Sequence, residues 1–193
     1  MAASHDGDAE KARRFRDAAL PHLDEVYTLA RYLLRNSNDA DDAVQECYLR
    51  ALRHFDSFRG QAIKPWLMAI LRNVCRAEFA RRAEFTAADA NAELADNVVP
   101  LWQEPEGTAE TEQIRAQDAD TIRALLAELP LPFREAIVLR DITGLSYREI
   151  AEVIDAPVGT VMSRLARGRG LLRLAWRKSE TPTSGPTVEE RSP

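Results

Sequence analysis

Apolar residues recur every three or four positions over most of this chain, and nowhere do they alternate. That spacing lines one face of an α-helix and cannot line one face of a strand. The first run is Phe15, Ala18, Ala19, Leu23, Val26, Tyr27, Ala30, Leu33 and Leu34. Pro21 divides it into a short first helix and a second, because proline fits best in a first turn. Asn36-Ser37-Asn38 breaks the pattern and supplies an N-cap. A third helix follows, with Asp39, Asp41 and Asp42 in the first turn, where the helix dipole favours negative charge. It carries Ala40, Val44, Cys47, Tyr48, Ala51 and Leu52. Residues 55–62, with Gly60, read as a loop. A fourth helix over about 65–82 has Trp66, Leu67, Ile70, Leu71 and Val74 as its buried stripe.

The periodicity lapses over about 83–108, where Ala, Asp, Glu and Asn dominate around Pro100 and Pro105. This stretch reads as a linker, with Val98, Val99, Leu101 and Trp102 as an apolar island able to dock elsewhere. Helical spacing returns from about 109 to 129, and again from Pro132 through Ile137, Val138 and Leu139, where Gly144 acts as the C′ residue. The fold class is therefore all-α: two small helical domains joined by an acidic flexible linker. The expected boundaries are 1–83 for the first domain, 84–118 for the linker, 119–177 for the second domain, and 178–193 for a disordered tail.

Composition excludes several function classes. An apolar fraction of 45% suits a folded chain. Cys47 and Cys75 are the only cysteines and form no CxxC, which argues against a disulfide scaffold or an internal zinc site. They read as buried apolar residues, with a redox pair as the sharper alternative. No apolar run approaches the ~18–20 residues of a membrane span, and MAASHDGDAEKARR has no apolar core, so it is not a secretory signal. A cytoplasmic location without membrane insertion is expected. His5, His22 and His54 have no ligand or triad spacing with the cysteines, so no catalytic residue, metal or cofactor is expected.

The net charge of −5 would not suggest a nucleic-acid partner, but its distribution does. Residues 158–178 carry Arg164, Arg167, Arg169, Arg173, Arg177 and Lys178 with no acid. Residues 64–82 carry Lys64, Arg72, Arg76, Arg81 and Arg82 against Glu78. Between them, 84–120 holds ten acids against Arg115. Basic clusters on defined elements are the electrostatic footprint of phosphate binding, although either cluster alone could be a solvated helix face.

The second cluster lies in a recognisable frame. Ser146-Tyr147-Arg148-Glu149 is a capping box that starts a short helix through Ile150, Ala151, Val153 and Ile154. Asp155-Ala156-Pro157 makes the turn, and Asp155 tolerates a left-handed conformation better than most residues. A longer helix follows from Val158 to about Trp176, with Val161, Leu165 and Leu172 inward. Small Ala151 permits two helices to cross closely. The frame is a helix-turn-helix, and Thr160, Ser163, Arg164 and Arg167 are its candidates for base edges and phosphates.

SYREIAEVIDAPVGTVMSRLARGRGLL resembles the C-terminal DNA-reading region of bacterial sigma factors, specifically the small extracytoplasmic-function group of the sigma-70 family. DADDAVQECYLRA is similar to that family's core-polymerase-binding helix, and FRGQAIKPWLMAILRNVCRAEFARR to its promoter-melting segment. The resemblance covers about 15–82 and 124–173 in the family's order.

It implies that the first domain is sigma region 2 and the second is sigma region 4. The chain would be an alternative sigma factor. It would bind core RNA polymerase at the clamp coiled coil and flap, read promoter DNA at −35 and melt it at −10. It implies Asp39, Asp42, Gln45, Glu46 and Leu49 for core binding, and Gln61, Lys64, Trp66, Arg72, Asn73 and Arg76 for the −10 strand. At −35 it implies Thr160, Ser163, Arg164 and Arg167, with Arg148 and Arg173 on phosphates. From the residues alone, Asp39 reads better as an ordinary dipole-favoured acid, and Trp66 as a core aromatic. Met162 and Ala166 stand where relatives are often polar or bulky, which points to a private promoter preference. An anti-sigma factor and a role in stress response are implied as well. A stand-alone helix-turn-helix regulator and a sigma-mimicking decoy for an anti-sigma factor remain as alternatives.

Overall fold

The computed structural model describes residues 2–60, 62–88 and 121–180. Every regular element among the described residues is helical. Helix α1 spans Ala2–Ala19, and a 3-10 turn at Leu20–His22 built on Pro21 leads into α2 (Leu23–Leu34). Arg35, in the left-handed region at φ 62°, ends α2, and Asn36 caps α3 (Ser37–His54) by accepting from the Asn38 and Asp39 amides. A 3-10 turn at Phe55–Ser57 precedes α4 (Ile63–Ala88), which begins two residues earlier and ends six later than its apolar stripe suggested. The second half comprises α5 (121–128), α6 (Leu131–Ile137), α7 (Tyr147–Ile154) and α8 (Val158–Glu180). The apolar island at 98–102 lies outside the described residues.

In the first half α2, α3 and α4 pack on one another. Leu29, Leu67, Met68, Leu71 and Cys47 are fully buried at their centre. Phe15 closes one end through edge-on ring contacts with Tyr48 and Phe55, and the Tyr48 hydroxyl donates to the Ala19 carbonyl at 3.0 Å. Both cysteines are buried, free thiols. Burial pushes each up to about 12, so neither forms a reactive thiolate near neutral pH. The apolar reading of the pair agrees with this placement.

In the second half α8 packs on α6 and α7. A π turn at Val138–Ile142 extends α6, and its last turn is tied by Thr143, whose hydroxyl donates to the Leu139 carbonyl at 2.8 Å. Sequence periodicity offers no sign of this widening. Gly144 follows at φ 74°, in the role its position predicted. The two glycines in the middle of α8, Gly168 and Gly170, differ in kind. A Cβ on Gly168 would lie 2.9 Å from Ile137 Cδ1 and 3.2 Å from Phe133 Cβ, whereas one on Gly170 meets nothing within 4 Å. Gly168→Ala is therefore expected to destabilise the fold by about 1 kcal/mol, overpacking outweighing helix propensity. Gly170→Ala is expected to stabilise it by up to ~1 kcal/mol. Opposite shifts in the urea midpoint would register the difference, and a gain from both substitutions would refute the close α6–α8 approach.

The halves are not independent. Helix α4 packs on α7 and α2 on α6, so the buried apolar residues of both halves form one cluster. No helix among the described residues is long and apolar enough to cross a membrane.

Candidate nucleic-acid interface

The capping box forms as the sequence predicts. The Glu149 amide donates to Ser146 Oγ at 3.3 Å, and the Ser146 amide donates to Glu149 Oε2 at 2.7 Å. These hydrogen bonds hold the Glu149 carboxyl below its ordinary value. Asp155 takes φ 50° and turns the chain between α7 and α8. Ile150, Val153, Val161 and Leu165 bury the inner faces of the two helices. Among the residues outward on α8 are Met162 (54% exposed), Ser163, Ala166, Arg167 and Arg173, with Thr160 and Arg164 partly covered; Arg148 is exposed on α7. The Ser163 hydroxyl donates to the Thr160 carbonyl at 2.9 Å and retains acceptor capacity for an incoming donor. Arg169 is spent otherwise, in a bidentate pair with Asp141 at 2.6 and 3.0 Å. An exposed basic helix in this frame can enter a major groove.

The second surface surrounds the start of α4. Phe58 lies over Gly60, where a Cβ would come within 2.6 Å of its ring, and packs on Trp66 with ring centroids 4.7 Å apart. Trp66 is partly buried: it packs against the core as its spacing favoured, and it also lines the cleft described next. Phe58 is a partner that the sequence did not reveal. A cleft lined by Phe58, Arg59, Pro65 and Trp66 on one side faces Glu149 and Glu152 of α7 on the other.

The remaining candidates here are dispersed. Asn73 and Arg76 are exposed, and Gln61 lies outside the described residues. Lys64 donates to Glu25 at 2.9 Å and to the Thr143 carbonyl at 2.5 Å. Burial alone would raise the Glu25 carboxyl, but the Lys64 ammonium, with help from His22, brings it below its ordinary value. Arg72 and Arg76 stand four positions apart on α4, a spacing that puts both on one helix face and suits a backbone track. The structure separates them: the Arg72 side chain is 13% exposed and donates to Glu135 Oε1 at 2.6 Å. The docking of α6 takes Arg72 out of solvent, which spacing on α4 alone could not show.

The third surface is a groove between α3 and α4 with Asp39, Asp42 and Glu46 on one wall and Glu78 and Arg81 on the other. Asp42, Gln45, Glu46 and Leu49 fall on one helix stripe, with Leu49 44% exposed. Asp39 instead pairs with Arg82, and Glu46 is held by Arg50 at 2.6 Å.

The sequence matches two family models in chain order, Sigma-70 region 2 over residues 19–85 and Sigma-70, region 4 over residues 119–172. The chain belongs to the sigma-70 family, in its group of ECF RNA polymerase sigma factors, and so to a family of transcription initiation factors. It is 35% identical over 180 residues to the ECF RNA polymerase sigma factor SigE of Mycolicibacterium smegmatis, covering 92% of this chain and 68% of that protein. It is 36% identical over 158 residues to the ECF RNA polymerase sigma factor EcfG of Rhodopseudomonas palustris, covering 81% and 82%. Among solved structures it resembles the sigma factor RpoE of Bartonella quintana, crystallised with the anti-sigma factor NepR. That likeness has a TM-score of 0.73 at 26% identity and covers 86% of this chain and 98% of RpoE.

Proposed function

We propose that the chain directs core RNA polymerase to a specific promoter class and has no catalytic site of its own. The observation that carries the reading is the capped helix-turn-helix whose second helix presents Arg167, Arg173 and Ser163 outward and holds no acid over residues 158–178. Thr160, Ser163, Arg164 and Arg167 read the −35 major groove, while Arg148 and Arg173 hold phosphates. The face of Asp42, Gln45, Glu46 and Leu49, acidic with one apolar centre, suits docking on a basic coiled coil of the polymerase clamp. The Phe58–Trp66 cleft suits capture of an unstacked −10 base, with Asn73, Arg76, Lys64, Gln61 and Arg72 along the strand. The boundaries follow as region 2 over 1–83, linker over 84–118, region 4 over 119–177 and tail over 178–193. The site of action is the cytoplasm, where the polymerase is. The likeness to RpoE, crystallised with NepR, supports control by an anti-sigma factor.

Run-off transcription with bacterial core polymerase on a pool of genomic promoter fragments tests this reading. Discrete new transcripts that depend on the protein are expected, and they would supply the −35 and −10 motifs. Failure to bind core would overturn the reading in favour of a stand-alone regulator, which gives residues 19–85 no role, or of a decoy, which has no need of Arg164 and Arg167.

A further inference from the structure

Helix α8 carries two parallel ladders on its outward face, in the half nearest the turn. One is Ser163 and Arg167; the other, one residue earlier, is Met162 and Ala166, and all four are exposed. The members of each ladder stand four apart, so one lies above the other on the helix surface. The functional reading assigns a role to the first ladder and none to the second. The second has no hydrogen-bonding group beyond the weakly accepting thioether of Met162. The fold makes no use of it either: Val161 and Leu165 bury the inner face of α8 at 0% and 1% exposure, whereas Met162 is 54% exposed. Among the described residues only Leu174 is a more exposed large apolar side chain, and Leu174, like Leu171, lies on the far half of the helix.

A methionine held in water on a helix that enters a major groove selects its base by exclusion as well as by contact. On the groove edge guanine shows two acceptors, adenine an acceptor and an amino group, and cytosine an amino group; thymine alone adds an apolar C5-methyl. A thioether side chain laid on guanine or cytosine strips water from polar edges and returns no strong hydrogen bond. Laid on the thymine methyl, it removes apolar surface of both partners from water. Its unbranched, polarizable chain can follow the methyl without a fixed rotamer. Ala166 adds a methyl-sized surface one turn further on, and a side chain so short lets the duplex come close. At 1.5 Å of rise per residue, Met162 lies about 7.5 Å from Arg167 along the axis, roughly two base steps of ~3.4 Å.

We infer that Met162 is a specificity-determining residue: backed by Ala166, it packs on the C5-methyl of a thymine in the −35 element, about two base steps from the pair met by Arg167. The inference rests on the functional reading above and deepens it. The ladder of Ser163 and Arg167 supplies hydrogen bonds to polar edges, and the ladder of Met162 and Ala166 supplies the apolar contact beside them. The promoters of this chain therefore carry a thymine where an arginine at position 162 would select guanine.

The test uses the full-length chain assembled with bacterial core polymerase, on a promoter taken from the run-off transcription described above. Each thymine of the −35 element, on either strand, is replaced singly by deoxyuridine, which removes the methyl and keeps every hydrogen-bonding group. The wild-type holoenzyme should lose about fourfold in promoter affinity at one of these positions, the size expected for one buried carbon group. Met162→Ala should bind the thymine and deoxyuridine promoters alike. Met162→Arg should move the preference at that position from thymine to guanine. Helix content and core affinity should stay unchanged in both variants, since Met162 lies outside the buried cluster. A wild-type holoenzyme indifferent to every deoxyuridine overturns the inference, as does a −35 element with no thymine on either strand. Methyl sensitivity that persists in Met162→Ala overturns it too, and a loss of core affinity in the same variant would then assign Met162 to a protein contact. Absence of promoter-specific transcription by the wild-type holoenzyme is a separate failure, that of the functional reading, and removes this inference with it.

Discussion

Alanine at both Arg164 and Arg167 is expected to lower promoter-specific transcription by at least ~30-fold while leaving affinity for core polymerase unchanged. The reasoning starts from geometry: the two residues follow one another at i, i+3 on the half of α8 nearest the turn, which is the part of such a helix that enters a major groove. A bidentate arginine–guanine pair is worth about 1–3 kcal/mol of discrimination. Two such pairs lost together give at least ~2 kcal/mol, or the stated factor, if they act independently. Core binding is assigned to a face of α3 in the other half, so it provides an internal control. The same variants separate two ways in which arginine can act. If they read bases, promoters with altered −35 elements lose their disadvantage, because the discriminating contact is gone. If they hold phosphates, all promoters weaken alike and the salt dependence falls by about one unit per residue. Wild-type transcription by the double variant would remove α8 from promoter reading.

What could be read in the sequence was local. The capping box needs only Ser146 and Glu149, three residues apart. The left-handed Asp155, the positive φ of Gly144 and the Asn36 cap are likewise decided within a few residues, where side-chain chemistry competes directly with the backbone. The stripe of Leu67, Leu71 and Val74 follows from helical period alone. For these elements pattern and structure coincide.

What could not be read depends on which helix docks where. Arg72 and Glu135 are 63 residues apart, and nothing near either of them names the other. The same holds for Arg134 and the Tyr32 carbonyl, 102 residues apart. Gly168 and Gly170 look identical in sequence, and only the approach of α6 separates them. Phe58 could have been suspected from its place before Gly60, but its partner Trp66 is set by how the loop returns to α4. The candidate −10 residues, implied by the family resemblance, therefore differ in availability in a way the resemblance could not show. Asn73 and Arg76 are exposed, while Arg72 is already paired.

Leu71→Ala is expected to cost about 2–5 kcal/mol, the range for deleting a fully buried leucine side chain. Leu71 has no exposed surface, and α4 packs there against both α2 and α3, so the neighbours cannot close the void without moving whole helices. Against a typical total of ~5–15 kcal/mol this is a large share. For a chain of 150–250 residues it should lower Tm by about 4–20 °C, at roughly 2–4 °C per kcal/mol. The form of the transition carries as much information as its midpoint. The cavity lies in the first half, yet one buried cluster runs through both halves. Calorimetry should therefore show a single transition that moves as a whole. Two transitions, with only one displaced, would mean that the halves unfold separately and that the α4–α7 and α2–α6 contacts add little in solution. A shift under 2 °C would show that the α2–α3–α4 core does not depend on this leucine. Paired with Glu135→Arg, which sets like charge against Arg72, the measurement also separates causes: the charge reversal should divide the transition without lowering the stability of the first half, and the cavity should lower it without dividing the transition.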